Sequence, residues 1–237
     1  MNKIALVTGA SAGIGEATAR ALIDAGYTVF AAARRLDRMS GLAALGATLL
    51  KLDVTDDASM VAAVEAIKTS AGRLDVLVNN AGYGSYGALE DVPLDEARRQ
   101  FEVNVFGCWG LIQALLPLLL AAPAARIVNV SSAAAQQIGK LDTARVFSPA
   151  HSLAKFTLNA LTTTLAAALA ETPILINAVD PGRVATHPER GDDADDRSPA
   201  EAAKGVIWAA TLDRGGPTGG LFVDGKPVSE GAPVPSV

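Results

Sequence analysis

The feature that most constrains the fold is a glycine-rich bend set directly behind the first apolar run. Ile4-Ala5-Leu6-Val7 is uninterrupted by polar side chains, as a strand buried on both faces should be. It leads into Thr8-Gly9-Ala10-Ser11-Ala12-Gly13-Ile14-Gly15, and Glu16 to Ala25 follows with helical periodicity up to Gly26. Glycines between a strand and a helix permit a tight turn, and the helix start directs its free N–H groups toward that turn. Gly9, Ser11, Gly13, Ile14 and Gly15 are therefore candidates to cradle the diphosphate of a dinucleotide. The spacing is Gly-x-x-x-Gly-x-Gly rather than the commoner Gly-x-Gly-x-x-Gly.

Strand and helix patterns alternate beyond the bend. Strands are expected at residues 28–33, 49–52, 76–78, 126–130, 174–179 and 221–223, and helices at 58–71, 95–121 and 152–171. Alternation with nearly all-apolar strands implies an α/β fold, a doubly wound parallel sheet of Rossmann type in three α/β/α layers. No break in composition divides the chain, so residues 1–237 read as one domain carrying its own substrate pocket. Residues 189–197 read as an acidic surface loop and 231–237 as a loose tail.

Bulk properties exclude several functions. A net charge of −5 without a basic run leaves no footprint for nucleic acid or an anionic membrane. The apolar run from Ala114 to Ala122 is too short to span a bilayer and contains Pro117. The apolar start is better explained as a strand than as a targeting segment. The only cysteine, Cys108, can form no intrachain disulfide and reads as a buried, inert thiol. A soluble cytoplasmic protein is expected. The two histidines and the cysteine are too dispersed for metal-ligand spacing, so no metal is expected.

The end of the second strand bears on cofactor choice. An acidic residue there would bind the ribose 2′-hydroxyl of NAD, but the sequence is Ala31-Ala32-Ala33-Arg34-Arg35. Arg34, nineteen residues after Gly15, can pair with a 2′-phosphate, which favours NADP(H) over NAD(H).

With these elements in order, the chain resembles the short-chain dehydrogenase/reductase family over roughly residues 3 to 228. Its Thr-Gly-x-x-x-Gly-x-Gly turn is joined by Asp53-Val54, which resembles the pair contacting the adenine. Asn79-Asn80-Ala81-Gly82 resembles the motif that supports the sheet and borders the cofactor. Asn104 resembles the structural and catalytic asparagine, and Ser132 the catalytic serine. Pro181-Gly182 with Val184 and Thr186 resembles the segment that binds the nicotinamide carboxamide. The ending from Gly216 to Gly225 is similar to that of carbonyl-reductase-like members. The resemblance implies a ketoreductase-type oxidoreductase with its cofactor, acting on a small molecule.

One position departs from the family pattern. The signature is Tyr-x-x-x-Lys, and this chain has His151-Ser152-Leu153-Ala154-Lys155. Residues four apart share a helix face, so His151 and Lys155 can both face the cofactor. In the family the tyrosine exchanges a proton with the substrate oxygen, and the lysine lowers its pKa and holds the nicotinamide ribose. An imidazolium is a competent acid, but Lys155 and burial both disfavour that form; neutral imidazole can still donate an N–H hydrogen bond. Three functions therefore stand open. The first is reduction of a ketone or aldehyde, or the reverse oxidation, with His151 as acid/base or donor. The second is a non-redox cyclisation, elimination or isomerisation with His151 as base, and the third a catalytically silent cofactor-binding protein.

Tyr83, Tyr86, Ile138, Leu141, Phe147 and Val184 are expected to line a largely apolar substrate pocket. Either tyrosine could in principle replace the missing phenol. His187 is expected to lie in an exposed loop. The stretches around residues 104–121 and 152–170 are apolar on more than one face, and the family uses these two helices to assemble, so a homodimer or homotetramer is expected.

Overall fold

The structure, a computed structural model, describes residues 2–88, 90–138, 146, 148–186 and 196–228. Leu141, Phe147, His187, the greater part of the acidic loop and the C-terminal tail lie outside these residues.

Among the described residues eight strands form one sheet: β1 (Ile4–Thr8), β2 (Thr28–Ala33), β3 (Thr48–Lys51), β4 (Val76–Asn79), β5 (Arg126–Val130), β6 (Leu175–Val179), β7 (Leu221–Val223) and β8 (Lys226–Pro227). Their order is β3-β2-β1-β4-β5-β6-β7-β8, parallel throughout except for the short hairpin of β7 with β8. The strand order reverses between β1 and β4. At such a switch point the flanking loops diverge and leave a crevice beyond the carboxyl ends of the strands.

The helices are α1 (Gly13–Asp24), α2 (Ser40–Ala44), α3 (Asp57–Ala71), α4 (Leu94–Phe101), α5 (Gly107–Leu120), α6 (Pro149–Ala168) and α7 (Pro199–Ala210). They cover both faces, because side chains along each strand alternate between two cores. Leu6, Phe30, Leu77, Ile127 and Ile176 pack with Ile67, Leu111, Leu115 and Leu158 from α3, α5 and α6. Ala5, Val7, Val29, Val78, Val128 and Val179 pack with Leu22, Leu42 and Val206 from α1, α2 and α7. This is the three-layer fold expected from the alternation, with element ends displaced by a few residues.

No helix is expected from the sequence between β6 and β7, although their parallel pairing needs a crossover, and α7 fills that place. Its signal is local: Ser198 accepts from the Glu201 N–H, the Glu201 carboxylate accepts from the Ser198 N–H, and Pro199 opens the first turn. Residues Leu94–Leu120 run as one 27-residue helix, apolar and long enough by composition to cross a membrane. Here its apolar residues Leu111, Ile112, Leu115 and Leu119 are buried against the sheet. A chain of buried polar groups is paired between the strands and α6: Asn79 Nδ2 donates to Asn129 Oδ1 at 2.9 Å, and Asn129 Nδ2 to Thr162 Oγ1 at 2.9 Å. Cys108 also donates to Asn129 Oδ1, and burial pushes its thiol up to about 12, so it is an inert core residue.

Candidate active site

The glycine bend is held from beneath by Thr8. Its hydroxyl donates to the Val78 carbonyl and accepts from the N–H groups of Asn80 (3.0 Å) and Ala81 (2.9 Å). Asn80 Nδ2 donates in turn to the carbonyls of Thr8 (2.9 Å) and Gly9 (3.3 Å). Asn80 thus fastens the bend to the end of β4. The bend leaves no room for side chains: a Cβ at Gly9 would sit 2.8 Å from Asn80 Nδ2, and one at Gly15 would sit 2.4 Å from the Gly9 carbonyl oxygen. The start of α1 has Ala12 at its cap position and no side-chain cap, so its first N–H groups remain open to an anion.

A cleft of about 520 Å³ lies over this bend. Gly9, Ser11, Gly13, Ile14, Arg34, Asp53, Val54, Asn80 and Thr186 line it, as the sequence predicts. Gly15 lies buried beneath, as a close-packing glycine. Asp53 Oδ1 is engaged by the N–H and hydroxyl of Thr55, and the Asp53 N–H donates to Ser59, which shapes the wall beside Val54. Arg34 and Arg35 are exposed on the rim at the end of β2, and Arg99 from α4 faces the same cleft. Sequence reasoning missed Arg99 because it is some 60 positions from the arginine pair and meets them only through the fold. An uncapped helix start, a bend that excludes side chains and a cationic rim fit the diphosphate and adenosine end of a nicotinamide dinucleotide.

Asn104, Lys155 and His151 gather around the Gly82–Gly84 segment, of which Gly82 and Tyr83 line the cleft. The long helix widens to a π turn over Glu102–Phe106, which turns Asn104 inward. Asn104 Oδ1 accepts from the Tyr83 N–H at 3.0 Å, and its Nδ2 donates to the Tyr83 carbonyl at 2.6 Å. Lys155 is buried on α6 and donates to the Val130 carbonyl at 2.8 Å. Burial lowers its pKa to about 8. A side chain at Gly82 would fall 3.2 Å from Asn104 Oδ1 and 3.5 Å from Lys155 Nζ, and one at Gly84 would fall 3.2 Å from His151 Nδ1. The glycines of this segment therefore leave space where the three side chains converge.

His151 lies one turn before Lys155 on α6, is 8% exposed, and has no hydrogen-bond partner for Nδ1 among the described residues. Burial first, and then the Lys155 charge, push its imidazole down to about 4, with the Tyr83 carbonyl opposing. It is neutral at physiological pH. The Tyr86 ring leans on it at 5.7 Å between centroids, while the Tyr83 hydroxyl is held by Glu96. That bond raises the Tyr83 pKa and leaves its phenol turned to a carboxylate.

Ser132 comes from another element, the end of β5. It opens the 3-10 turn Ala133–Gln137 after β5 and accepts from the Ala134 N–H at 3.2 Å. The same turn reaches α6, where Ser152 donates to Gln137 Oε1 at 3.3 Å beside His151. Ile138, half-buried, closes the turn. Among the described residues of the segment after β6, Thr186 reaches the cleft, with its methyl 3.3 Å from where a Gly13 side chain would begin. Pro181 is buried, Gly182 turns the chain with φ 73°, and Val184 pairs with Arg197 in an isolated bridge.

The fold and cleft agree with what the chain is similar to. A family model for short chain dehydrogenases matches residues 3–196. A probable short-chain type dehydrogenase/reductase of Helicobacter pylori is 32% identical over 187 residues, covering 79% of this chain and 67% of that protein. A 3-ketodihydrosphingosine reductase of Bacteroides thetaiotaomicron is 39% identical over 130 residues, covering 55% of this chain and 47% of that one. The crystal structure of a short-chain dehydrogenase from Streptomyces avermitilis superposes with a TM-score of 0.81 at 31% identity, covering 94% of this chain and 88% of that one. The protein belongs to the short-chain dehydrogenase/reductase family. It is an oxidoreductase of that type, on a scaffold that binds a nicotinamide dinucleotide and acts on small molecules.

Proposed function

We propose that the protein is an NADP(H)-dependent oxidoreductase that interconverts a ketone or aldehyde with an alcohol on a hydrophobic small molecule, with His151 taking the place of the family's tyrosine. The observation that carries this reading is the convergence of His151, Lys155 and Asn104 around the Gly82–Gly84 segment, which borders a cleft rimmed by arginines.

The roles follow from the surroundings of each residue. Ser11, Gly13, Ile14 and the open N–H groups of α1 hold the diphosphate, Arg34 the 2′-phosphate, and Asp53 and Val54 border the adenine. Pro181, Gly182, Val184 and Thr186 flank the nicotinamide end. The bound cofactor would supply or accept the hydride. His151 as neutral imidazole donates an N–H to the carbonyl oxygen and polarises it. Lys155 lies next to it, and its ammonium, its pKa lowered to about 8, gives the alkoxide left by hydride transfer its proton and regains one from solvent; Ser132 binds the same oxygen from the turn after β5. Asn104 keeps the Tyr83 backbone in place beneath. A general base working near pH 7 needs the opposite environment from one that lowers the imidazole to about 4, so the hydrogen-bond donor is favoured over the base of a non-redox reaction.

The substrate class rests on Tyr86, exposed beside His151, and Ile138 on the facing turn. The relative named as a 3-ketodihydrosphingosine reductase acts, by its name, on a keto compound. We further infer a cytoplasmic homo-oligomer, because the single cysteine suits a reducing compartment and helices α4 to α6 leave large apolar side chains uncovered.

The test is oxidation of NADPH and NADH against a panel of apolar ketones and aldehydes. The wild type should turn over with NADPH, and His151→Ala should lose about 100-fold or more in kcat/KM. Arg34→Asp should abolish the preference for NADPH over NADH. An inert wild type that His151→Tyr converts into a reductase would overturn the catalytic reading. Equal wild-type affinities for NADPH and NADH would overturn the cofactor reading.

A further inference from the structure

Asp180 is a buried carboxylate with no part in the hydrogen bonds proposed to reach the substrate. It is 3% exposed at the carboxyl end of β6, where its own N–H donates to the Phe222 carbonyl at 2.9 Å. Its two oxygens serve different elements. Oδ1 accepts from the Gly182 N–H at 2.9 Å, which closes the Pro181–Gly182 turn. Oδ2 accepts from Gln136 Nε2 at 3.1 Å, on the 3-10 turn that begins at Ser132. Gln137 on that turn accepts from Ser152 at 3.3 Å, on the helical turn that carries His151. Arg197 holds the other side of the loop, donating to the Pro181 carbonyl at 3.3 Å and pairing with Asp224 at 2.8 Å.

We propose that Asp180 is a positioning residue that sets the Pro181–Gly182 turn, and with it the nicotinamide half of the cofactor, in register with the Ser132 turn. This inference rests on the cofactor reading above. Burying a carboxylate is unfavourable, and desolvation raises its pKa; the Gly182, Ala133 and Gln136 donors oppose that shift. A carboxylate retained there accepts from two elements at once, which no apolar residue can do. The bend under the diphosphate is fastened separately by Thr8 and Asn80, so a fault at Asp180 should be felt at one end of the nucleotide only.

The experiment compares binding of NADPH with binding of adenosine 2′,5′-bisphosphate, which occupies only the adenosine end, by calorimetry on the full chain. Asp180→Ala should weaken NADPH about tenfold and leave the bisphosphate within about twofold. Asp180→Asn should recover NADPH binding, because its Oδ1 still accepts from Gly182 and the Gln136 amide can turn over to accept from Nδ2. Gln136→Leu removes the side-chain half of the link between the two turns and leaves the Ala133 N–H, so it should show the same selective loss to a smaller degree, and the proposal stays testable if Asp180→Ala does not fold. Equal weakening of both ligands, or unchanged NADPH affinity, would overturn the positioning role. A wild type that binds neither ligand would overturn the cofactor reading instead, and a normal wild type with indifferent variants would overturn this inference alone.

Discussion

His151 is held neutral by its surroundings, and the sign of that effect is measurable. Its folded pKa, about 4, lies below the reference value of 6.5, so between these two pH values the unfolded chain binds the extra proton and the folded one does not. Stability must therefore rise with pH across that window and be lost as pH falls through it. A shift from 6.5 to about 4 corresponds to about 3 kcal/mol. Denaturant unfolding between pH 7 and pH 4 should show this loss in the wild type, and His151→Gln should show a correspondingly shallower decline. Identical pH slopes would mean that the imidazole is solvated or paired. At this scale the sequence was informative where chemistry depends on spacing. The i, i+4 relation of His151 and Lys155 and the arginine ending β2 can be read from the chain. Arg99 and Asp180 cannot, because the groups that give them meaning are distant in sequence and adjacent only across the folded sheet.

The bend between β1 and α1 works as a unit with the end of β4, and Thr8 is its joint. The buried hydroxyl is the acceptor for the N–H groups of both Asn80 and Ala81. Thr8→Val keeps the shape and strands both donors, which should destabilise the protein by about 2–4 kcal/mol in denaturant titration. Thr8→Ser should keep most of the stability. An unchanged midpoint in Thr8→Val would show that water satisfies those donors. The elements themselves were largely legible, because a buried parallel strand is a run of apolar residues and an amphipathic helix has a period of its own. Several features were not, the short α2 and β8 among them. The π turn around Asn104 leaves the apolar spacing of the long helix readable as an ordinary α-helix, although it decides which way Asn104 points. Helix α7 went unread, although the cap Ser198-Pro199-Ala200-Glu201 and the parallel pairing of β6 with β7 both call for it.

For the molecule as a whole, the face built from α4, α5 and α6 is the main apolar surface. Leu94 (65%), Phe106 (51%) and Leu153 (44%) are exposed, and with Phe101, Pro149 and Ala150 they line a groove of about 610 Å³. Trp109 and Phe156, also exposed, belong to the same helices. A second copy of the chain would cover these side chains with the same face, as a two-fold interface requires. Light scattering after gel filtration should find the wild type as a dimer or tetramer, and Leu153→Glu combined with Phe106→Glu should yield a smaller species. A monomeric wild type would contradict the assembly.

By itself the sequence determined the layer architecture, the place of the glycine bend and the identity of the residues around it. Each of these depends on local periodicity or on short spacings, which hydrophobic burial and backbone geometry turn directly into structure. Only the tertiary structure decided that His151 is buried and neutral, and that Asp180 joins two loops. Burial, dielectric and hydrogen-bond partners are properties of the space between elements, and that space exists only once the sheet has brought distant segments together.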